Sequence, residues 1–117
     1  MATYSKLFLS GSSAGKQILI AATTSASATQ IHTAVAGSSS MDEVWLYAYN
    51  DSTGSSVLSL LWGGTVEPND VVRISMLPRA GRNLIADGKL LANSNVISAY
   101  SDVANVIAID GFINRIV

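Results

Sequence analysis

The chain has 117 residues with no cysteine; 49% are hydrophobic and only 13% charged, and seven basic against eight acidic side chains leave a net charge of −1. That length makes one domain, residues 1–117, with a core of its own; the missing thiols exclude disulfides and cysteine-ligated zinc or iron–sulfur centres, and the lack of any basic run argues against nucleic acid as a partner. An ordinary soluble domain carries about 25% charged residues, so serine, threonine and asparagine must keep much of this surface wet, and some apolar surface is expected to be buried against other subunits.

The first element is a strand over Tyr4–Ser10, followed by "SGSSAGKQ". This segment approaches the phosphate-loop pattern G-x-x-x-x-G-K-[ST], but Ser10 stands in place of the first glycine and Gln17 in place of the magnesium-binding hydroxyl. The flank "QILIAATTSASATQ" lacks the apolar spacing of the helix such a loop requires. The segment therefore reads as a hairpin connection to a second strand, Gln17–Ala22. Lys16, "ILIAA" and Ala26-Ser27-Ala28 also imitate a signal peptide, but the apolar stretch is too short, and nowhere do about 20 apolar residues run together as a membrane span would. No membrane partner is expected.

Further strands are expected over Gln30–Val35, Glu43–Asn50, Val57–Trp62, Val71–Leu77, Asn83–Ala86, Lys89–Ala92, Val96–Tyr100 and Val106–Arg115. Asp87-Gly88 between the seventh and eighth reads as a type I′ turn, since Asp-Gly supplies positive φ at low cost. Pro68 and Pro78 fall at strand boundaries, where a missing N–H harms no ladder. Short strands separated by turn clusters every ~10–14 residues predict an all-β, single-domain antiparallel β-sandwich, jelly-roll or immunoglobulin-like, of about 8–10 short strands.

In "EVWLYAYN", Val44, Leu46 and Ala48 point to one face and Trp45, Tyr47 and Tyr49 to the other. One face must line the core; the other is either covered by a neighbouring part of the chain or offered to a partner, because a contiguous aromatic patch in water is unusual for a monomer. The ending "NVIAIDGFINRIV" stays apolar to its last residue, so Phe112, Ile113, Ile116 and Val117 are expected to be docked as a closing strand or under a neighbouring subunit. Trp45, Tyr47, Tyr49, Phe112 and Ile116 are thus candidate interface residues.

Little in the sequence carries chemistry. His32 is the single histidine, and the alternation in "TQIHTAV" puts it opposite Ile31, as a partly exposed histidine on the polar face of a strand. Asp42 and Glu43 are adjacent, hence on opposite faces, so they do not work as a carboxylate pair and read instead as caps at the strand's entrance. Loop oxygens at Asn50, Asp51 and Ser52, or at Asn69 and Asp70, lack the regular carboxylate repeat of a calcium loop. No G-x-S-x-G elbow or Ser–His–Asp set is present. Arg79 and Arg82 in "LPRAGRN" flank a turn and could grip an anion, and join the candidate interface residues. No catalytic, metal or cofactor site is expected.

Three stretches carry a likeness beyond composition: "IHTAVAGSSSMDEVWLYAYNDS", "SLLWGGTVEPNDVVRISM" and "VISAYSDVANVIAIDGFINRI". Over roughly residues 30 to 116 the chain resembles small virion structural proteins of tailed bacteriophages. The resemblance implies a non-enzymatic capsid decoration or cement protein, located in the virion after assembly in the host cytoplasm, that associates with itself, often as a trimer, and with the phage major capsid protein. A tail or tail-tip component that binds a receptor or carbohydrate is the alternative it leaves.

Overall fold

The computed structural model describes residues 3–117. Nine strands fill most of that length: β1 (Tyr4–Phe8), β2 (Ile18–Leu19), β3 (Thr29–Thr33), β4 (Met41–Asn50), β5 (Ser56–Trp62), β6 (Val71–Met76), β7 (Asn83–Leu91), β8 (Val96–Ser101) and β9 (Ile107–Ile116), with one 3₁₀ turn at Ser25–Ser27. They form two antiparallel sheets. The first has the order β1-β9-β4-β7, with β2 also paired to β9; the second has the order β3-β8-β5-β6.

β1 and β2 are one edge strand in two pieces. β1 runs along β9 from Tyr4 opposite Ile116 to Phe8 opposite Phe112, and β2 continues with Ile18 opposite Ile109. "SGSSAGKQ" is therefore not a hairpin loop, because the strands it joins pair with β9 and not with each other. It leaves the sheet edge and crosses to the second sheet, where the Gly11 N–H donates to the Ile31 carbonyl at 2.9 Å. With β1 and β2 counted together, eight strands divide four and four between the sheets, crossing from one to the other at every connection but β5–β6, in the two-Greek-key order of a jelly roll, which decides against the immunoglobulin-like alternative.

The core lies between the sheets and follows strict alternation where the strands are regular. In β4, Val44, Leu46 and Ala48 are buried, as are Ile107, Ile109 and Ile113 in β9, opposed by Ile31, Leu58, Leu60, Ile97 and Ala99 of the second sheet. The accessible surface is 6147 Å², close to the roughly 6,100 Å² of a compact monomer of this size, so the core closes without a partner. The apolar C-terminus is the central strand β9, held between β1/β2 and β4.

Asp87-Gly88 is not a turn. β7 runs unbroken from Asn83 to Leu91 beside β4, and the register steps from Val44 opposite Lys89 to Trp45 opposite Asp87, leaving Gly88 as a bulge. A type I′ turn needs positive φ at both central residues; Gly88 has φ 88° and Asp87 has no positive φ. The expected seventh and eighth strands are thus one.

Candidate functional site

The first sheet's outer face is built from every second residue of β1, β9 and β4 and, because two register shifts interrupt it, every third residue of β7. Tyr4, Lys6 and Phe8 come from β1; Asp110, Phe112, Asn114 and Ile116 from β9; Glu43, Trp45, Tyr47 and Tyr49 from β4; Leu84, Asp87 and Leu90 from β7. Exposure is 72% for Tyr4, 63% for Phe8, 50% for Leu84 and 51% for Leu90. No strand or helix of the described residues lies over this face; Gly15, at the far end of the crossing segment, reaches its border against Phe8, and Arg82 of the connection before β7 lies over Tyr47. The second sheet is covered differently. Ser59 and Leu61 on the outward side of β5 are buried, and Arg73, bonded to Glu67, reaches Tyr100 across β5 at 3.4 Å.

Two of the aromatic rings stack on each other across β4 and β9. The Trp45 and Phe112 rings are 6.1 Å apart at 10°, and the absent side chain of Gly88 makes room for the indole, whose Cζ2 would sit 3.1 Å from a Cβ there. The indole N–H donates to Glu43 Oε1 at 2.7 Å, and the Asn114 amide donates to the same oxygen at 3.1 Å. Together, Trp45 first, they hold the Glu43 carboxyl below its ordinary value. Lys6 Nζ stands 4.6 Å over the Phe112 ring, and an open cavity of about 550 Å³ is lined by Lys6, Leu7, Phe8, Gly15, Gly111 and Phe112.

Of the residues expected at an interface, Trp45, Tyr47, Tyr49, Phe112 and Ile116 share this face, and Arg82 joins them by lying 3.7 Å over the Tyr47 ring while donating to Asp110 at 2.9 and 3.1 Å. Arg79 does not converge with Arg82. It stands in the β6–β7 connection 3.6 Å from Asp51, so each arginine faces its own aspartate and the pair forms no common anion grip. Asn50 is a turn clamp rather than a metal ligand: its amide donates to the Gly54 and Met76 carbonyls, and its Oδ1 accepts from the Ser52 N–H and hydroxyl.

His32 departs from its expected place. It is 1% exposed, because the β3–β8 register shifts between Gln30 and His32 and this bulge turns both Ile31 and His32 inward. Its Nδ1 accepts the Ser10 N–H at 3.0 Å, which leaves Nε2 as the protonated nitrogen donating to Asp42 Oδ2 at 2.7 Å. Asp42 is not a strand cap: fully buried, it also accepts two bonds from Arg115, at 2.8 and 3.0 Å, and one from the Val35 N–H at 3.2 Å. Glu43 is on the opposite face, as adjacency in a strand requires. The cluster ties the crossing segment, β3, β4 and β9 together across both sheets. Both ring nitrogens of His32 are engaged inside the fold, so the arrangement acts as a latch. Among the described residues no group of three metal-ligating side chains stands together, and no helix is long and apolar enough to cross a membrane.

Tyr4, Lys6, Phe8, Leu84 and Leu90 are additions that the sequence reading did not place on this face. The alternation in "YSKLF" carried the signal for the first three, but placing them beside Phe112 needs the β1–β9 register. No protein-family model matches the chain, and no curated protein matches it.

Proposed function

We propose that this chain is a non-enzymatic structural component of a tailed-phage particle, of the capsid decoration or cement type, which associates with itself and with the major capsid protein and stabilises the head. The observation that carries this reading is the broad aromatic and aliphatic outer face of the first sheet, left open on a jelly roll. A rigid sandwich with one apolar face suits lattice contacts, and jelly rolls recur in viral shells, although the fold alone does not define a role. Purified protein mixed with undecorated capsids is expected to bind at a fixed number of copies per shell and to raise the temperature at which the shell opens. Absence of saturable binding would exclude the proposal.

The aromatic side chains gathered around the stacked Trp45–Phe112 pair favour one second reading, a carbohydrate-binding module of a tail or tail tip, since aromatic faces suit the apolar face of a sugar. On that reading a glycan array gives saturable binding that Trp45→Ala abolishes; on the decoration reading the array stays blank.

A further inference from the structure

We infer that the outer face of the first sheet pairs with a second copy of this chain about a two-fold axis running along β9, so that Lys6 of each copy meets Glu43 of the partner subunit. β9 lies between β1/β2 and β4, and β7 beyond β4 stays outside the paired area. The register gives its two neighbours matched residues at each height: Tyr4 and Met41 across Ile116, Lys6 and Glu43 across Asn114, Phe8 and Trp45 across Phe112, Leu19 and Tyr49 across Ala108. Rotation by half a turn about β9 exchanges the two sides and leaves the heights unchanged. Each residue then faces its counterpart: Phe8 on Trp45, Tyr4 on Met41, Leu19 on Tyr49, and the Lys6 ammonium on the Glu43 carboxylate.

The charges are available for this. Lys6 forms no ion pair among the described residues, and the two internal bonds of Glu43 both use Oε1, leaving Oε2 to accept. The like charges that the axis brings together, two copies of Asp110, are each already paired to Arg82. An axis across the strands would lay β1 on β1 and set Lys6 two strands away from the partner's Glu43, so charge complementarity selects the axis along β9. Sheets pack about 10 Å apart, a gap the Phe8, Phe112 and Trp45 rings fill and the two long charged side chains span. Three strands about 4.8 Å apart and roughly 33 Å long give a flat footprint of about 500 Å² per copy, at the small end of specific interfaces. The pair is therefore concentration-dependent, and it is twofold where the resemblance to phage proteins implies threefold.

Charge reversal tests this because the contact is reciprocal. Sedimentation equilibrium of the wild-type chain is expected to pass from one to two chain masses as concentration rises. Lys6→Glu and Glu43→Lys each set like charges together at two symmetric places and are expected to weaken the pair about tenfold or more. The double reversal, K6E with E43K, is expected to return it to within a few fold of wild type, a rescue that a merely local role of Glu43 beside Trp45 would not give. Both residues lie outside a core that closes alone, and an unchanged urea midpoint verifies folding of each variant. A single chain mass at every concentration, a three-chain mass, or a double reversal as weak as the single ones overturns the inference. It rests on the self-association in the particle reading and is separated from the rest of it by the test: a monomer that still coats capsids refutes the pair and the self-association but leaves the capsid contact, and a pair that ignores capsids refutes the particle reading alone.

Discussion

Asp42→Ala is expected to lower the unfolding free energy by about 3 kcal/mol or more, which for a marginally stable domain is a large part of the roughly 5–15 kcal/mol available. The carboxylate is fully buried and receives four hydrogen bonds, from Arg115 twice, His32 and the Val35 N–H. Its removal leaves the His32 Nε2–H without an acceptor, and the Arg115 charge without its counter-ion at the mouth of the core. Arg115 is itself 29% exposed along its side chain and recovers some hydration, which places the effect near the lower end of the roughly 3–5 kcal/mol typical of a broken buried pair. Urea unfolding followed by tryptophan fluorescence measures it as a lowered midpoint with unchanged slope. A loss below about 1 kcal/mol would show that the latch is not a principal tie between the sheets.

The same residue sets an acid limit. Burial pushes the Asp42 carboxyl up, but the Arg115 and His32 bonds outweigh it and hold the pKa below its ordinary value of 3.8. A carboxylate depressed in the folded state contributes stability that is fully present above the unfolded value and is lost as pH falls through the folded one. Asp102, depressed by the Ser56 hydroxyl and the Val57 N–H, acts in the same direction. Wild-type stability is therefore expected to hold from neutral pH to about 4 and to fall steeply below it, with a shallower fall in Asp42→Ala.

The elements legible in the sequence were those in which one local rule acted alone. In β4 the two-residue period separates Val44, Leu46 and Ala48 from Trp45, Tyr47 and Tyr49 without any knowledge of partners, and both sets lie where that period puts them. His32 was illegible because one bulged residue reverses the phase of everything beyond it. Asp87-Gly88 misled because a bulge with Gly in the left-handed region and a type I′ turn draw on the same residue chemistry; only the continuous β4–β7 ladder separates them. The crossing segment after β1 could not be told from a hairpin, since both need a polar, glycine-containing connection and differ only in which strand the two arms pair with. The relation of Lys6 to Glu43 depends on two registers through β9, and no local pattern encodes it.

Gly111→Ala is expected to be as damaging as the loss of Asp42, for a reason confined to the backbone. Gly111 sits opposite Leu46 at the centre of the β4–β9 ladder with φ 153°, a conformation that side chains rarely adopt. An added Cβ would collide with the Trp45 carbonyl oxygen and carbon and lie 3.1 Å from the Leu46 Cα. These are atoms of the adjacent central strand, so no rotamer change relieves the clash; β4 and β9 must part locally, which breaks ladder bonds and separates Trp45 from Phe112. A loss of about 3 kcal/mol or more should therefore come with altered tryptophan emission, since the indole loses its stacked ring. Gly54→Ala is the control: nothing lies within 4 Å of a Cβ there and φ is not positive, so its midpoint should move by no more than about 0.5 kcal/mol. If Gly111→Ala matched that control, the close approach of β4 and β9 would be refuted. With it would go the stacking of Trp45 on Phe112, because the two rings keep it only while their two strands stay in register.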